Sequence, residues 1–370
     1  MTIRSIFHTF LLLFCIHIDV CFADTLPLSR SLKNLDSTLQ KQIHEKKAIG
    51  CAVAVVDRGE IIFIKAYGSC KKGEKAFVNL QTVFQLGSIS KPISATLVAI
   101  LMKEGLLDLN APLHAFYPPI SSNTTVKHLL SHMTGYKRAG WNQKIEDDQS
   151  RESLLNELAD SEQTEPGTEY DYHNLAYSLI EEVVALSLQK PFWKVLEVRL
   201  FHPLQMKRAW IGDLDFAQQE NYAWPHQEDK HGLMQPCKRY SHAYHRVVSS
   251  AGGINASIED MASFLQLQMG ARPDILDAND LLPFHTPVSR AADAIPWFKK
   301  DLKGDLKSYY GLGWRIIDHN ETRIIFHGGW LKGFTNFLAF LPDRQIGIVI
   351  LHNGESPLSK KAAMQFLNSL

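Results

Sequence analysis

Leu28, Leu32, Leu35, Leu39 and Ile43 recur at intervals of three and four, a spacing that predicts an amphipathic helix with one apolar face. The period then changes. "CAVAVVDRGEIIFIKAYG" holds two β-rich runs around Asp57-Arg58-Gly59, the signature of a hairpin. From about Thr82 to Met206 the pattern predicts helices over 88–104 ending at Gly105, 124–134 ending at Gly135, 150–160, 174–188 and 191–201. Residues 207–250 are polar and irregular, rich in His, Tyr and Trp. Ser257 and Asp260 form a capping pattern at the front of "SIEDMASFLQLQM". Strand character returns in "YYGLGWRIIDHNETRIIFHGG" and "FTNFLAFLPDRQIGIVILHN", each with two runs around a turn, and a short helix at 359–369 closes the chain.

Neither the early hairpin nor the late strands can stand alone. They are expected to join into one antiparallel sheet flanked by the first and last helices, an α/β (α+β) fold carrying an inserted all-α domain. This reading assigns 24–81 and 245–370 to a discontinuous sheet domain, 82–206 to the helical domain and 207–244 to an irregular connecting segment. The junction of two such units is a common place for chemistry.

The first 23 residues read differently. Arg4 precedes a mostly apolar run from Ile6 to Val20, and Cys21-Phe22-Ala23 precedes Asp24, as in a secretory signal peptide cleaved after Ala23. His17 and Asp19 make the run too short and interrupted to span a bilayer comfortably. A periplasmic or secreted bacterial protein without stable membrane insertion is the expectation. Lys plus Arg and Asp plus Glu both total 39, a balance that offers no electrostatic footprint for nucleic acid or anionic lipid. Removing the leader leaves Cys51, Cys70 and Cys237, an odd number that argues against a disulfide framework. Folding the hairpin at Arg58-Gly59 sets Cys51 opposite roughly residue 66, too far from Cys70 to bridge, so buried free thiols are expected.

Candidate chemistry begins with Ser-x-x-Lys, which occurs at Ser69-Lys72, Ser88-Lys91 and Ser187-Lys190. The first lies in a loop and the last at a helix C-terminus before Pro191, where carbonyls repel an oxyanion. Ser88-Lys91 opens an apolar helix, which puts both side chains on one face and favours an activated serine beside an unprotonated amine. The plain alternative is a capping serine and a snorkelling lysine. A second element is Tyr172-His173-Asn174, just before a helix: a phenol near an ammonium is acidified and can act as general base, and the amide can hold a substrate amide. A third is His327-Gly328-Gly329-Trp330, read as a strand end whose glycines admit close backbone approach. The N–H groups of Ser88 and Trp330 then suit an oxyanion. His128 with His132 and His242 with His245 lack the glutamate and third ligand of a zinc hydrolase, so no metal and no organic cofactor are expected. Trp193, Trp224 and Trp297 are read as core or pocket wall.

In this order the three elements resemble the penicillin-binding serine hydrolases, which include class C β-lactamases, D-alanyl-D-alanine carboxypeptidases and related esterases. "LLDLNAPLHAFYP", "TVKHLLSHMTGY", "PGTEYDYHNLAYSLI", "AGGINASIEDMASFL" and "HGGWLKGFTNFLAFLPDRQIGIVIL" extend the resemblance from about Ile49 to Asn353. It implies the β-lactamase/transpeptidase-like fold, Ser88 as nucleophile, Lys91 and Tyr172 as the proton-handling pair, Asn174 as substrate ligand, and His327 with its glycines and Trp330 along the pocket. His327-Gly328-Gly329 stands where class C enzymes usually carry Lys-Thr-Gly, replacing a permanent cation by a titratable one and removing a hydroxyl. A class A reading built on Ser121-Ser122-Asn123 and Glu152–Asn156 is set aside, because the first runs straight into "TTVKHLLSHMTG" and the second sits on an ordinary amphipathic helix. The expectation is an exported, monomeric serine hydrolase forming an acyl-enzyme with a β-lactam or D-alanyl peptide-type, peptidoglycan-derived substrate. A short-chain carboxylesterase and a non-turnover penicillin-binding sensor module are the alternatives.

Overall fold

The computed structural model describes residues 25–121, 123–147, 149–212, 220–237 and 242–370. The expected leader, residues 1–23, lies outside them, as do parts of the segment 207–250. Thirteen strands occur among the described residues: β1 (Gly50–Asp57), β2 (Glu60–Gly68), β3 (Phe84–Gln85), β4 (Trp210–Ile211), β5 (His226–Glu228), β6 (Met234–Pro236), β7 (Ile254–Ala256), β8 (Ser289–Arg290), β9 (Leu306–Tyr310), β10 (Arg315–His319), β11 (Thr322–Leu331), β12 (Phe334–Leu341) and β13 (Ile346–His352).

Eight of them form one antiparallel sheet in the order β2-β1-β13-β12-β11-β10-β9-β8, so the early hairpin does join the late strands. Alternation along β1 explains why both faces are covered. Val53 and Val55 point into a layer made by the helices Thr25–His44 and Leu358–Asn368, where they meet Leu35, Leu39, Ile350 and Met364. Ala52, Ala54 and Val56 point into the larger core beneath the helices Ser90–Lys103 and Ile258–Gln268. The predicted capping box is present: Asp260 N donates to Ser257 Oγ at 3.2 Å, and Ser257 N donates to Asp260 Oδ2 at 2.9 Å. Cys51 pairs with Tyr67 rather than residue 66, because a bulge between Val55 and Val56 shifts the register by one. Cys51 and Cys70 are buried free thiols, and Cys237 is free and half-buried.

Several predicted boundaries shift. Ser88 does not lie in the long helix: residues Gly87–Ile89 form a tight 3-10 turn, and the α-helix runs Ser90–Lys103, which leaves Pro92 in its first turn, where no intrahelical N–H is lost. The helix expected over 124–134 covers Val126–Leu130 only, and His132 beyond it takes a left-handed φ of 56°. The one expected over 174–188 is broken into Asn174–Tyr177 and Ile180–Leu188. That over 191–201 passes from α (Phe192–Leu196) into a π turn (Glu197–Phe201). The irregular segment contains β4, β5 and β6, and β4 joins β3 and β7 in a small second sheet. Trp193 is not core: it is 54% exposed on its helix and forms part of the wall of a surface cleft with Glu181, Leu186 and Phe192.

One feature of the main sheet makes room for a site. β10 pairs with β11 only as far as Phe326, whereas β11 continues to Leu331 against β12. Residues His327–Leu331 therefore form an edge inside the sheet, and the 3-10 turn carrying Ser88 packs against it. His327 is thus mid-strand, not at a strand end; what ends beside it is β10.

Candidate active site

The turn and the edge strand meet so closely that only glycine fits. Gly87 has a φ of 58°, and a Cβ there would lie 2.9 Å from the Trp330 oxygen and 3.0 Å from its nitrogen. A Cβ on Gly329 would lie 1.9 Å from the Leu86 carbonyl oxygen. Gly328 is different, since a Cβ there meets nothing nearer than Trp297 at 3.6 Å. The two obligatory glycines bring the backbones of Ser88 and Trp330 side by side. Both residues line a cleft of about 530 Å³ together with Arg138, Asn142, Tyr172 and Asn174. A larger cleft, about 870 Å³, opens at the far end of β10 and β11 around Asp318 and Arg323, and none of the predicted residues lines it.

Behind Ser88 the chemistry is concentrated on Lys91. Its side chain is fully buried, and its Nζ lies 3.3 Å from Ser88 Oγ, 2.7 Å from Asn174 Oδ1 and 2.9 Å from the Ala251 carbonyl. Burial, reinforced by the nearby Arg315 guanidinium, pushes this amine well below the usual lysine range. The tyrosine arrives from another part of the chain. His173 caps the helix Asn174–Tyr177 by accepting from Ala176 N at 3.2 Å, which fixes the segment Tyr172-His173-Asn174. Lys91 Nζ sits 4.5 Å from the Tyr172 ring centre, and the phenol is hydrogen-bonded to Ser88.

The expected acidification of that phenol does not prevail. Burial pushes Tyr172 up to about 12; Arg315 and the Ser88 hydrogen bond pull it down, with the smaller effect. Both shifts favour the uncharged forms, a phenol and an amine, over a phenolate and an ammonium. His327 is also not a cation. It is buried, its Nδ1 lies 2.8 Å from the Gly328 carbonyl and its Nε2 3.1 Å from the Tyr310 hydroxyl, so Nδ1 carries the proton and Nε2 accepts. Burial, with Arg315 and Lys91 nearby, holds it well below the usual histidine range. All the predicted residues are brought together, with Ser88, Tyr172, Asn174 and Trp330 at the cleft and Lys91 and His327 in the layer beneath.

Comparison with known proteins bears on what this arrangement is. The family model described as Beta-lactamase matches residues 35–368. The chain belongs to the beta-lactamase family. It is similar to a beta-lactamase of Escherichia coli (strain K12), 26% identical across 90% of this chain and 92% of that one. It is also similar to the D-alanyl-D-alanine-carboxypeptidase/endopeptidase AmpH of the same organism, 24% identical across 85% of this chain and 81% of that one. Among solved structures, the octameric penicillin-binding protein homologue from Pyrococcus abyssi superposes with a TM-score of 0.79 at 21% identity, over 91% of this chain and 76% of that chain. The fold is therefore that of the penicillin-binding and beta-lactamase proteins, and the chain is a serine hydrolase of that family.

Beyond what sequence reasoning found, this family member carries Arg315 under its active site. The guanidinium is 5.0 Å from the Tyr172 ring centre and donates to both carboxylate oxygens of Asp293 at 2.9 Å. A signal existed: Arg315 is a lone cation opening the apolar run of β10, at a position that turns out 4% exposed. His132, set aside as a metal ligand in favour of a solvated or packed histidine, is packed. Its ring lies 4.3 Å from that of Tyr172 and 4.8 Å from that of Tyr310, so it serves as packing behind the phenol. Asn142, 3.3 Å from Asn174 Nδ2, carried no signal of its own.

Proposed function

We propose that this protein is an exported serine hydrolase that acts through an acyl-enzyme on D-alanyl peptide-type amides and β-lactams, with Ser88 as nucleophile. The observation that supports it is the chain of three groups at Ser88. With Lys91 unprotonated, its two N–H groups serve Asn174 Oδ1 and the Ala251 carbonyl, and its lone pair is left facing the Ser88 hydroxyl. Ser88 donates to that lone pair, and the Tyr172 phenol donates to Ser88. Attack then passes the serine proton to Lys91, a general-base step worth roughly 10²–10⁴ in rate. The carbonyl oxygen, now an anion, sits between the backbone N–H groups of Ser88 and Trp330. Tyr172, kept protonated by burial, hands its proton to the leaving nitrogen and is reprotonated by the Lys91 ammonium, which returns that lysine to its amine form. Water then attacks the ester carbon, Lys91 takes its proton, and the acid is released with Ser88 restored.

Asn174 holds the substrate amide from the cleft side, beside His327-Gly328-Gly329 and Trp330. The enzyme acts as a monomer on a small, peptidoglycan-derived substrate. An esterase is the second reading, favoured by the buried neutral His327: no fixed cation stands where class C enzymes carry lysine, which weakens the hold on a substrate carboxylate.

Labelling with a fluorescent penicillin and with a fluorophosphonate tests the nucleophile: Ser88→Ala abolishes both, and persistent labelling overturns the assignment. A panel of a chromogenic cephalosporin, a D-Ala-D-Ala peptide and a butyrate ester tests the substrate class. Turnover of the peptide or cephalosporin is expected, and turnover of the ester alone selects the second reading.

A further inference from the structure

Arg315 is an expensive residue to place. A guanidinium 4% exposed must be paired and must displace apolar packing, and here it is sandwiched among aromatic rings, 5.0 Å from the Tyr172 centre, 5.2 Å from Trp297 and 5.6 Å from Tyr310. Its partner Asp293 takes both N–H donors from the solvent side, with a side chain 36% exposed. Such a bidentate pair locks the guanidinium in place, and the carboxylate offsets only part of the guanidinium's effect at Tyr172.

The groups that face Lys91 and Tyr172 from the other elements carry no charge at neutral pH. His132, His173 and His327 are each pushed down by burial, so they are neutral imidazoles. Tyr170, Tyr177 and Tyr310 are each pushed up by burial, so they are neutral phenols. Among the described residues that act on the pair, Arg315 and Asp293 are left as the fixed charges.

We propose that Arg315, anchored by Asp293, is a positioning residue that sets the charge state of the proton-handling pair: its guanidinium beneath Tyr172 keeps Lys91 an amine, ready to take the Ser88 proton. Burial alone disfavours an ammonium, but Lys91 has two carbonyl-type oxygens and a hydroxyl around it that welcome one. A permanent cation 5.0 Å from the centre of the same Tyr172 ring that Lys91 Nζ approaches to 4.5 Å tips that balance. It also explains how the site tolerates His327 in place of a lysine. The permanent charge has moved to β10, out of the cleft, where it acts through space rather than by contact.

This inference rests on the proposed Ser88 reading, and the experiment separates the two. The rate of Ser88 modification by a fluorophosphonate is followed against pH for the full-length protein, with Ser88→Ala as the control. Labelling of that control overturns the nucleophile reading itself. If the control is silent, Arg315→Gln is expected to move the acid limb up by about one pH unit, so that labelling on that limb falls about tenfold. Arg315→Lys keeps the charge and is expected to restore most of the shift. Asp293→Asn strips the compensating carboxylate and is expected to move the limb down. A change in rate without displacement of the limb, or displacement in the same direction for Arg315→Gln and Asp293→Asn, overturns the proposal while leaving Ser88 as nucleophile. If Arg315→Gln does not fold, the direction of the Asp293→Asn shift decides alone.

Discussion

Lys91 Nζ donates to Asn174 Oδ1 at 2.7 Å, across 83 residues of chain, and this contact is what joins the serine turn to the tyrosine segment. Its chemistry is an amide oxygen against an amine, with no carboxylate partner for Lys91 among the described residues. That distinction is testable. Asn174→Asp places a carboxylate against the amine, which stabilises the ammonium and removes the base. Acylation at neutral pH is expected to fall by roughly 10²–10⁴ and to recover as pH is raised. Asn174→Leu is expected to be slower without such recovery. A wild-type rate at neutral pH in Asn174→Asp rules out Lys91 as the proton acceptor.

Gly328 and Gly329 are neighbours with opposite tolerance. Adding a methyl at Gly329 drives it into the Leu86 carbonyl, so β11 and the serine turn must part; the expected cost is at least roughly 1–3 kcal/mol, with loss of acylation. At Gly328 the space is open to 3.6 Å, so Gly328→Ala is expected to fold with a midpoint within about 1 kcal/mol of wild type. Urea unfolding and penicillin labelling of the two variants check the pair. Equal effects refute the close approach at Gly329.

Acid sensitivity follows from buried histidines. His173 is pushed down to about 4, and His285 and His352 to about 3, each chiefly by burial, against the ordinary value of 6.5. A lowered histidine is neutral when folded and protonated when unfolded between these values, so the unfolded chain binds more protons and stability falls with falling pH. Stability is therefore expected to be full above about 6.5 and to decline progressively toward about 3, read as the urea midpoint against pH. A flat profile across that interval contradicts the burial of these rings.

The three cysteines beyond residue 23 differ in reach. Burial pushes Cys51 up to about 12 and raises Cys70, while Cys237 is half-buried. In the native protein a maleimide is expected to modify Cys237 before the other two, which react only after denaturation. Reductant is expected to leave the melting temperature unchanged, and a drop on reduction would reveal a bridge.

Much of this was legible because it is local. The spacing of Ser88 and Lys91, the Ser257–Asp260 cap, the apolar face from Leu28 to Ile43 and the β-rich runs of β1, β2, β12 and β13 are all set by residues a few positions apart. The helix start was misplaced for a local reason too: Pro92 is compatible with an α-helix beginning at Ser88 or at Ser90, and the choice of a 3-10 turn comes from the contact of Gly87 with Trp330, more than two hundred residues away. His327 was placed at a strand end because its surroundings change there. The change is in its neighbour β10, whose length no pattern in β11 records.

By itself the chain determined which residues are candidates for the chemistry and that an antiparallel sheet flanked by helices would carry them, since side-chain type and short-range periodicity are written in its order. Only the tertiary structure decided their charge states. A lysine amine, a phenol and an imidazole keep their ordinary protonation in an open chain. Here the desolvation of Lys91, Tyr172 and His327, and the Arg315 charge beside them, exist only once four distant segments have closed around one another.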